Sequence, residues 1–146
     1  MKIKNCAVGI TVVSALITVG VAQAGPEVQV VFKNNGASDA IYDVTGSSAY
    51  SYSEAQPKPK GEVKAGESDN YKVTGSLSPD VTTVVFQYKS GGKVCKFKTS
   101  YLKLPGRGVA PKWNKSADAS GGARCDVRVT STNPATHAWA VEFTMR

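Results

Sequence analysis

The sequence predicts an all-β fold, an antiparallel β-sandwich of about eight short strands. Three observations lead there. Apolar residues recur with a period of two in several separate runs, Gly, Asn and Pro punctuate those runs at sandwich-like intervals, and no amphipathic helical pattern appears between Gly25 and Arg146. Two cysteines, Cys95 and Cys125, fall on the apolar faces of such runs and are expected to form one disulfide. The pattern leaves open whether that bridge joins neighbouring strands or the two sheets.

Residues 1–24 read as a signal peptide that is cleaved. Lys2 and Lys4 precede an uncharged run from Cys6 to Val21, and Ala22-Gln23-Ala24 gives a small-x-small ending. Residues 25–146 then form a single β-sandwich domain in a periplasmic or secreted location, where disulfides persist. Cleavage removes Cys6 and leaves an even pair of cysteines.

In chain order, Glu27 to Lys33 alternates, with Val28, Val30 and Phe32 on one face, and Asn35-Gly36 supplies a tight turn. Ala40 to Val44 and Ala49 to Ser53 read as short strands, Tyr50 and Tyr52 sharing a face in the second. Pro57 and Pro59 make Gln56 to Gly61 a loop or an edge, because proline removes ladder donors. Glu62 to Lys64 and Asp69 to Thr74 follow as strands, and Ser76 to Asp80 connects.

Val81 to Tyr88 is dense in β-branched and aromatic residues, with Val84, Phe86 and Tyr88 on one face. Ser90-Gly91-Gly92 closes a hairpin into Lys93 to Thr99, where Cys95 and Phe97 point inward and Lys96 and Lys98 outward. Pro105 to Gly122 has no periodicity and is expected to be a loop carrying Arg107, Lys112, Trp113 and Lys115. Alternation resumes at Ala123 to Thr130 with Cys125, Val127 and Val129 inward. In His137 to Arg146 it places Trp139, Val141, Phe143 and Met145 together.

Charge is distributed unevenly. From Gly25 to Tyr88 five lysines face eight acids, whereas Lys89 to Arg128 holds ten basic residues against Asp118 and Asp126, a local balance of +8. Such a field favours anionic partners. The candidate binding residues are Lys89, Lys93, Lys96, Lys98, Lys103, Arg107, Lys112, Trp113 and Lys115. The plainer reading of the same lysines is a solvated face that keeps the domain soluble. Basic residues among Tyr88, Phe97 and Tyr101 have the composition of a single-strand nucleic-acid platform. Phe97 turns inward, however, and export separates the chain from nucleic acid, so that partner is set aside.

The residues offer no catalytic constellation. His137 is the only histidine and reads as a surface or edge residue at the start of the last strand. No Gly-x-Ser-x-Gly or His-Glu-x-x-His motif occurs, and paired cysteines supply no thiol. No metal site or cofactor is expected: a closed zinc site lacks ligands, and Glu67, Asp69 and Asn70 match no calcium loop. Ser68 and Asp69 suit a cap or a turn better. Asn114-Lys115-Ser116 matches the glycosylation acceptor pattern.

The VVFKNNG run at Val30 to Gly36, the proline-rich step and VKAGESDNY at Val63 to Tyr71 resemble the turn pattern of small secreted β-sandwich proteins, the aegerolysin-like haemolysins among them. That resemblance implies membrane permeabilisation. The signal peptide, the basic balance and the few tryptophans depart from that family.

The functional expectation is therefore an exported non-catalytic binding module. It would be an inhibitor, an immunity-type protein or a binder of an anionic envelope component, using a basic face and an aromatic loop. Its partner is a protein or an anionic surface polymer. The alternative is a membrane-acting, toxin-like β-sandwich that places Trp113 and tyrosines at a membrane surface.

Overall fold

The structure, a computed structural model, describes residues 24–146. The segment read as a signal peptide lies outside the described residues apart from Ala24. The chain runs β1 (Glu27–Asn34), β2 (Ala40–Tyr42), α1 (Ser47–Glu54), β3 (Ala55–Gln56), β4 (Glu62–Val63), β5 (Ser68–Thr74), β6 (Val81–Ser90), β7 (Lys93–Leu102), β8 (Lys112–Ser120), β9 (Cys125–Thr132) and β10 (Trp139–Met145). These strands form two five-stranded sheets, sheet A in the order β3-β5-β1-β10-β9 and sheet B in the order β4-β2-β6-β7-β8. The predicted sandwich is borne out. Pairing is antiparallel except between β1 and β10, which run parallel with Val28 opposite Trp139 and Phe32 opposite Phe143.

Alternation decides which residues meet between the sheets. Val28, Val30 and Phe32 of β1, Val84, Phe86 and Tyr88 of β6, and Val141 and Phe143 of β10 are buried, as are Cys95, Phe97 and Tyr101 of β7. Removing each large apolar side chain from water contributes about 1.5–3 kcal/mol. The aromatic rings interlock across the layers. Phe32 of sheet A stacks on Tyr88 of sheet B with centroids 3.5 Å apart, and Phe97 of sheet B stacks on Phe143 of sheet A at 4.7 Å.

Cys95 on β7 and Cys125 on β9 are joined as a disulfide with Cα atoms 5.6 Å apart. Because β7 belongs to sheet B and β9 to sheet A, the bridge ties the two sheets together. It does so near the thinly covered side of the sandwich, where Val127 and Val129 of β9 remain half-buried.

Three expectations are corrected. Ala49 to Ser53 is not a strand but part of α1, and the reason is polar. The Ser48 hydroxyl accepts the Thr45 N–H at 3.0 Å, Tyr42 donates its hydroxyl to the Ser48 carbonyl at 2.9 Å, and the Ser51 hydroxyl accepts the Val85 N–H at 2.8 Å. The helix buries these serines, and it covers the margin of β6 that the three-residue β2 leaves unpaired. The expected loop from Pro105 to Gly122 is likewise half strand, Lys112–Ser120 forming β8. β8 pairs with β7 from Leu102 opposite Lys112 to Val94 opposite Ser120. The last strand also starts later than expected, at Trp139, because His137 adopts φ +62° and closes a turn with its N–H on the Asn133 carbonyl at 2.7 Å.

Candidate functional site

The outer face of sheet B collects the cations. Buried Tyr88, Phe86 and Val84 fix the parity of β6, and Cys95, Phe97, Thr99 and Tyr101 fix that of β7. Lys89, Lys96 and Lys98 therefore point away from the core, as expected. The β7–β8 register carries the same parity across and adds Lys112, opposite Leu102, to that face. Asn114, Ser116 and Asp118 share it, with Asp118 opposite Lys96 and Ser116 opposite Lys98. Of these four cations only Lys89 is neutralised locally. It reaches Asp43 at 2.7 Å, and its ammonium group, with help from Gln87, holds the Asp43 carboxyl below the usual carboxylate range. Among the described residues, Lys96, Lys98 and Lys112 form no ion pair within 4.0 Å.

The remaining candidates do not join this face. Trp113 lies opposite Tyr101 on the core-facing side of β8, its ring 5.7 Å from the Tyr101 ring, and its Nε1 donates to the His137 carbonyl at 3.2 Å. It is a half-buried structural residue, so no aromatic loop exists there. Lys115 lies opposite buried Thr99 and so also takes the inward parity of β8, although this edge strand leaves it exposed. A charge in that position discourages strand-to-strand aggregation. Lys93 is at the tip of the β6–β7 hairpin and Lys103 and Arg107 are beyond the opposite end of β7. Tyr88, Phe97 and Tyr101 are all fully buried and present no ring to a stacking ligand.

Sheet A offers the contrast. On its outer face Lys72 pairs with Glu27 at 3.0 Å, Glu142 pairs with Lys33 at 2.7 Å and Arg128 at 3.2 Å, and Arg146 pairs with Asp126 at 3.0 Å. The Lys33 ammonium, ahead of Arg128, depresses the Glu142 carboxyl below its ordinary value. One face of the sandwich is thus self-neutralised, and the other carries three lysines, Lys96, Lys98 and Lys112, that form no ion pair among the described residues.

The residues around Asp69 have a structural task. Asp69 is buried in β5, where its carboxylate accepts the Lys60 N–H at 2.7 Å and the Asn70 N–H at 2.9 Å. Those bonds tie the proline-rich segment to sheet A. Asn114 of the glycosylation pattern stands exposed on β8 rather than in a loop.

A second feature escaped the sequence. A groove of about 540 Å³ runs between α1, the link from β5 to β6 and the first half of β6. Its walls include Tyr50, Leu77, Val81 and Val85, with Thr83 on its floor and Lys98 and Glu54 as its charged groups. Four segments contribute, from α1, the end of β5 with its link, β6 and β7, and none carries a recognisable motif by itself.

A scan of the sequence against protein-family models returns no match, and a search of curated proteins returns no significant one.

Proposed function

We propose that this chain is an exported, non-catalytic binding module that engages an anionic protein or surface polymer through the outer face of sheet B. The observation that carries this reading is the contrast between the two faces. Lys96, Lys98 and Lys112 stand in water without ion-pair partners, while the cations of sheet A are matched by carboxylates. A set of like charges on a rigid, untethered strand surface attracts a polyanion and sets its approach without any ordering of the protein. Export is supported by the layout of residues 1–24 and by a disulfide that joins the two sheets.

The test is retention on an immobilised polyanion, dextran sulfate, across a series of salt concentrations. Lys96→Glu combined with Lys112→Glu is expected to weaken retention about tenfold and flatten its salt dependence. Arg128→Glu combined with Arg146→Glu, which changes net charge equally on the other face, leaves retention close to that of the parent. Equal losses from the two pairs would reduce the effect to net charge and remove the face from the argument.

A further inference from the structure

The groove beside α1 has a chemistry that the basic face alone does not use. Leu77 is 84% exposed, Tyr50 40% and Val81 38%, so three of the seven exposed large apolar side chains among the described residues line one concavity. The concavity is large enough for an alkyl chain, since small-molecule sites begin at roughly 300 Å³. Its floor also carries polar backbone. The Val85 N–H is given to the Ser51 hydroxyl, and the Gln87 carbonyl accepts the Asp43 N–H at 2.8 Å. The odd-numbered residues of β6 therefore direct backbone groups away from β7, and Thr83 turns its N–H and C=O toward the groove.

Charge selects among apolar occupants. Lys98 lines the groove opposite Val85 in the β6–β7 register and stands on the same strand face as Lys96 and Lys112. Glu54 lines it from the C-terminal end of α1. An acidic group is drawn to the Lys98 wall and repelled from the helix end, which gives an amphiphile one preferred orientation.

We propose that this groove binds a single-chain anionic amphiphile, its alkyl chain along Tyr50, Leu77, Val81 and Val85 and its acidic head beside Lys98. The inference does not rest on the polyanion-binding reading, although Lys98 belongs to both surfaces. Burial of the chain supplies the driving force, and Lys98 supplies the preference for an anion over a cation of equal length.

The test is isothermal titration calorimetry of the purified protein with dodecanoate below its micelle concentration, with dodecyltrimethylammonium as the cationic control. One dodecanoate is expected to bind per chain, about tenfold more tightly than the ammonium compound. Thr83→Trp fills the floor and Leu77→Asp charges an already exposed wall. Each is expected to weaken binding about tenfold, and the second keeps the test decisive if the first disturbs folding, which melting by circular dichroism reports. Lys98→Gln narrows the gap between the two amphiphiles, and Glu54→Gln strengthens dodecanoate binding. Lys96→Glu with Lys112→Glu loses polyanion retention yet keeps the dodecanoate site, so the two readings fail separately. Equal affinity for both amphiphiles would overturn the proposal. So would unchanged binding in both Thr83→Trp and Leu77→Asp, or binding to anionic vesicles with none to the monomeric amphiphile.

Discussion

The hydroxyls of Tyr71 and Tyr88 meet at 2.9 Å inside the sandwich, one phenol carried by β5 of sheet A and the other by β6 of sheet B. Both side chains are buried, so each hydroxyl satisfies the other where water does not reach. Tyr71→Phe leaves the Tyr88 hydroxyl without that partner and is expected to cost about 1–3 kcal/mol in urea unfolding. Tyr71→Phe with Tyr88→Phe removes both groups and is expected to cost less than the sum of the two single changes.

Alkali is expected to unfold the protein through its tyrosines. Burial is the main cause that raises the pKa of Tyr42, Tyr71, Tyr88 and Tyr101 above the usual phenol value. A folded pKa above the unfolded one means that the native state holds its proton longer. The associated stability is complete below about pH 10 and is lost as pH rises through the interval between the two values. Melting temperature should therefore fall steeply above about pH 10, with phenolate absorbance from the buried rings appearing only as the fold is lost.

The disulfide joins sheets rather than adjacent strands, and its removal should act on how they hold together. Cys95→Ala with Cys125→Ala releases a link spanning 30 residues and is expected to lower unfolding stability by about 3 kcal/mol. Hydrogen exchange should accelerate most along β8 and β9, the two edge strands beside the bridge, while β1 and β10 keep their protection.

Gly121 and Gly122 separate two effects of glycine in one turn. Both have positive φ, +63° and +76°, but a Cβ at Gly121 would overlap the Gly92 carbonyl of the β6–β7 hairpin, whereas one at Gly122 meets open space. Gly122→Ala is expected to cost about 1 kcal/mol from backbone strain alone. Gly121→Ala should cost clearly more, and thermal melting of the two variants reads the difference.

What could be read in advance followed from burial on one side. β1, β6, β7 and β10 each bury alternate residues, so the facing of Phe97, Cys95, Lys96 and Lys98 was visible in the sequence. β8 buries almost nothing, and KWNKSADAS carries no alternation to recognise. It is a strand because β7 offers it a continuous backbone template. That hidden strand turned Trp113 from an expected loop anchor into a residue facing the core side, and it put Lys112 and Lys115 on opposite faces. In α1, Tyr50 and Tyr52 give a period of two like that of a strand, while the residues that hold the helix are Ser48 and Ser51. Hydroxyl-to-backbone bonds leave no hydrophobic pattern behind.

The parallel pairing of β1 with β10 sets the order in which this molecule becomes whole. Val28 finds its place beside Trp139, and Asn34 beside Met145, so the centre of sheet A waits for β10, more than a hundred residues after β1. A ribosome still holding β10 holds an open sandwich whose first strand lacks one neighbour. The long closure this requires leaves the centre of sheet A incomplete until β10 is available to pair with β1.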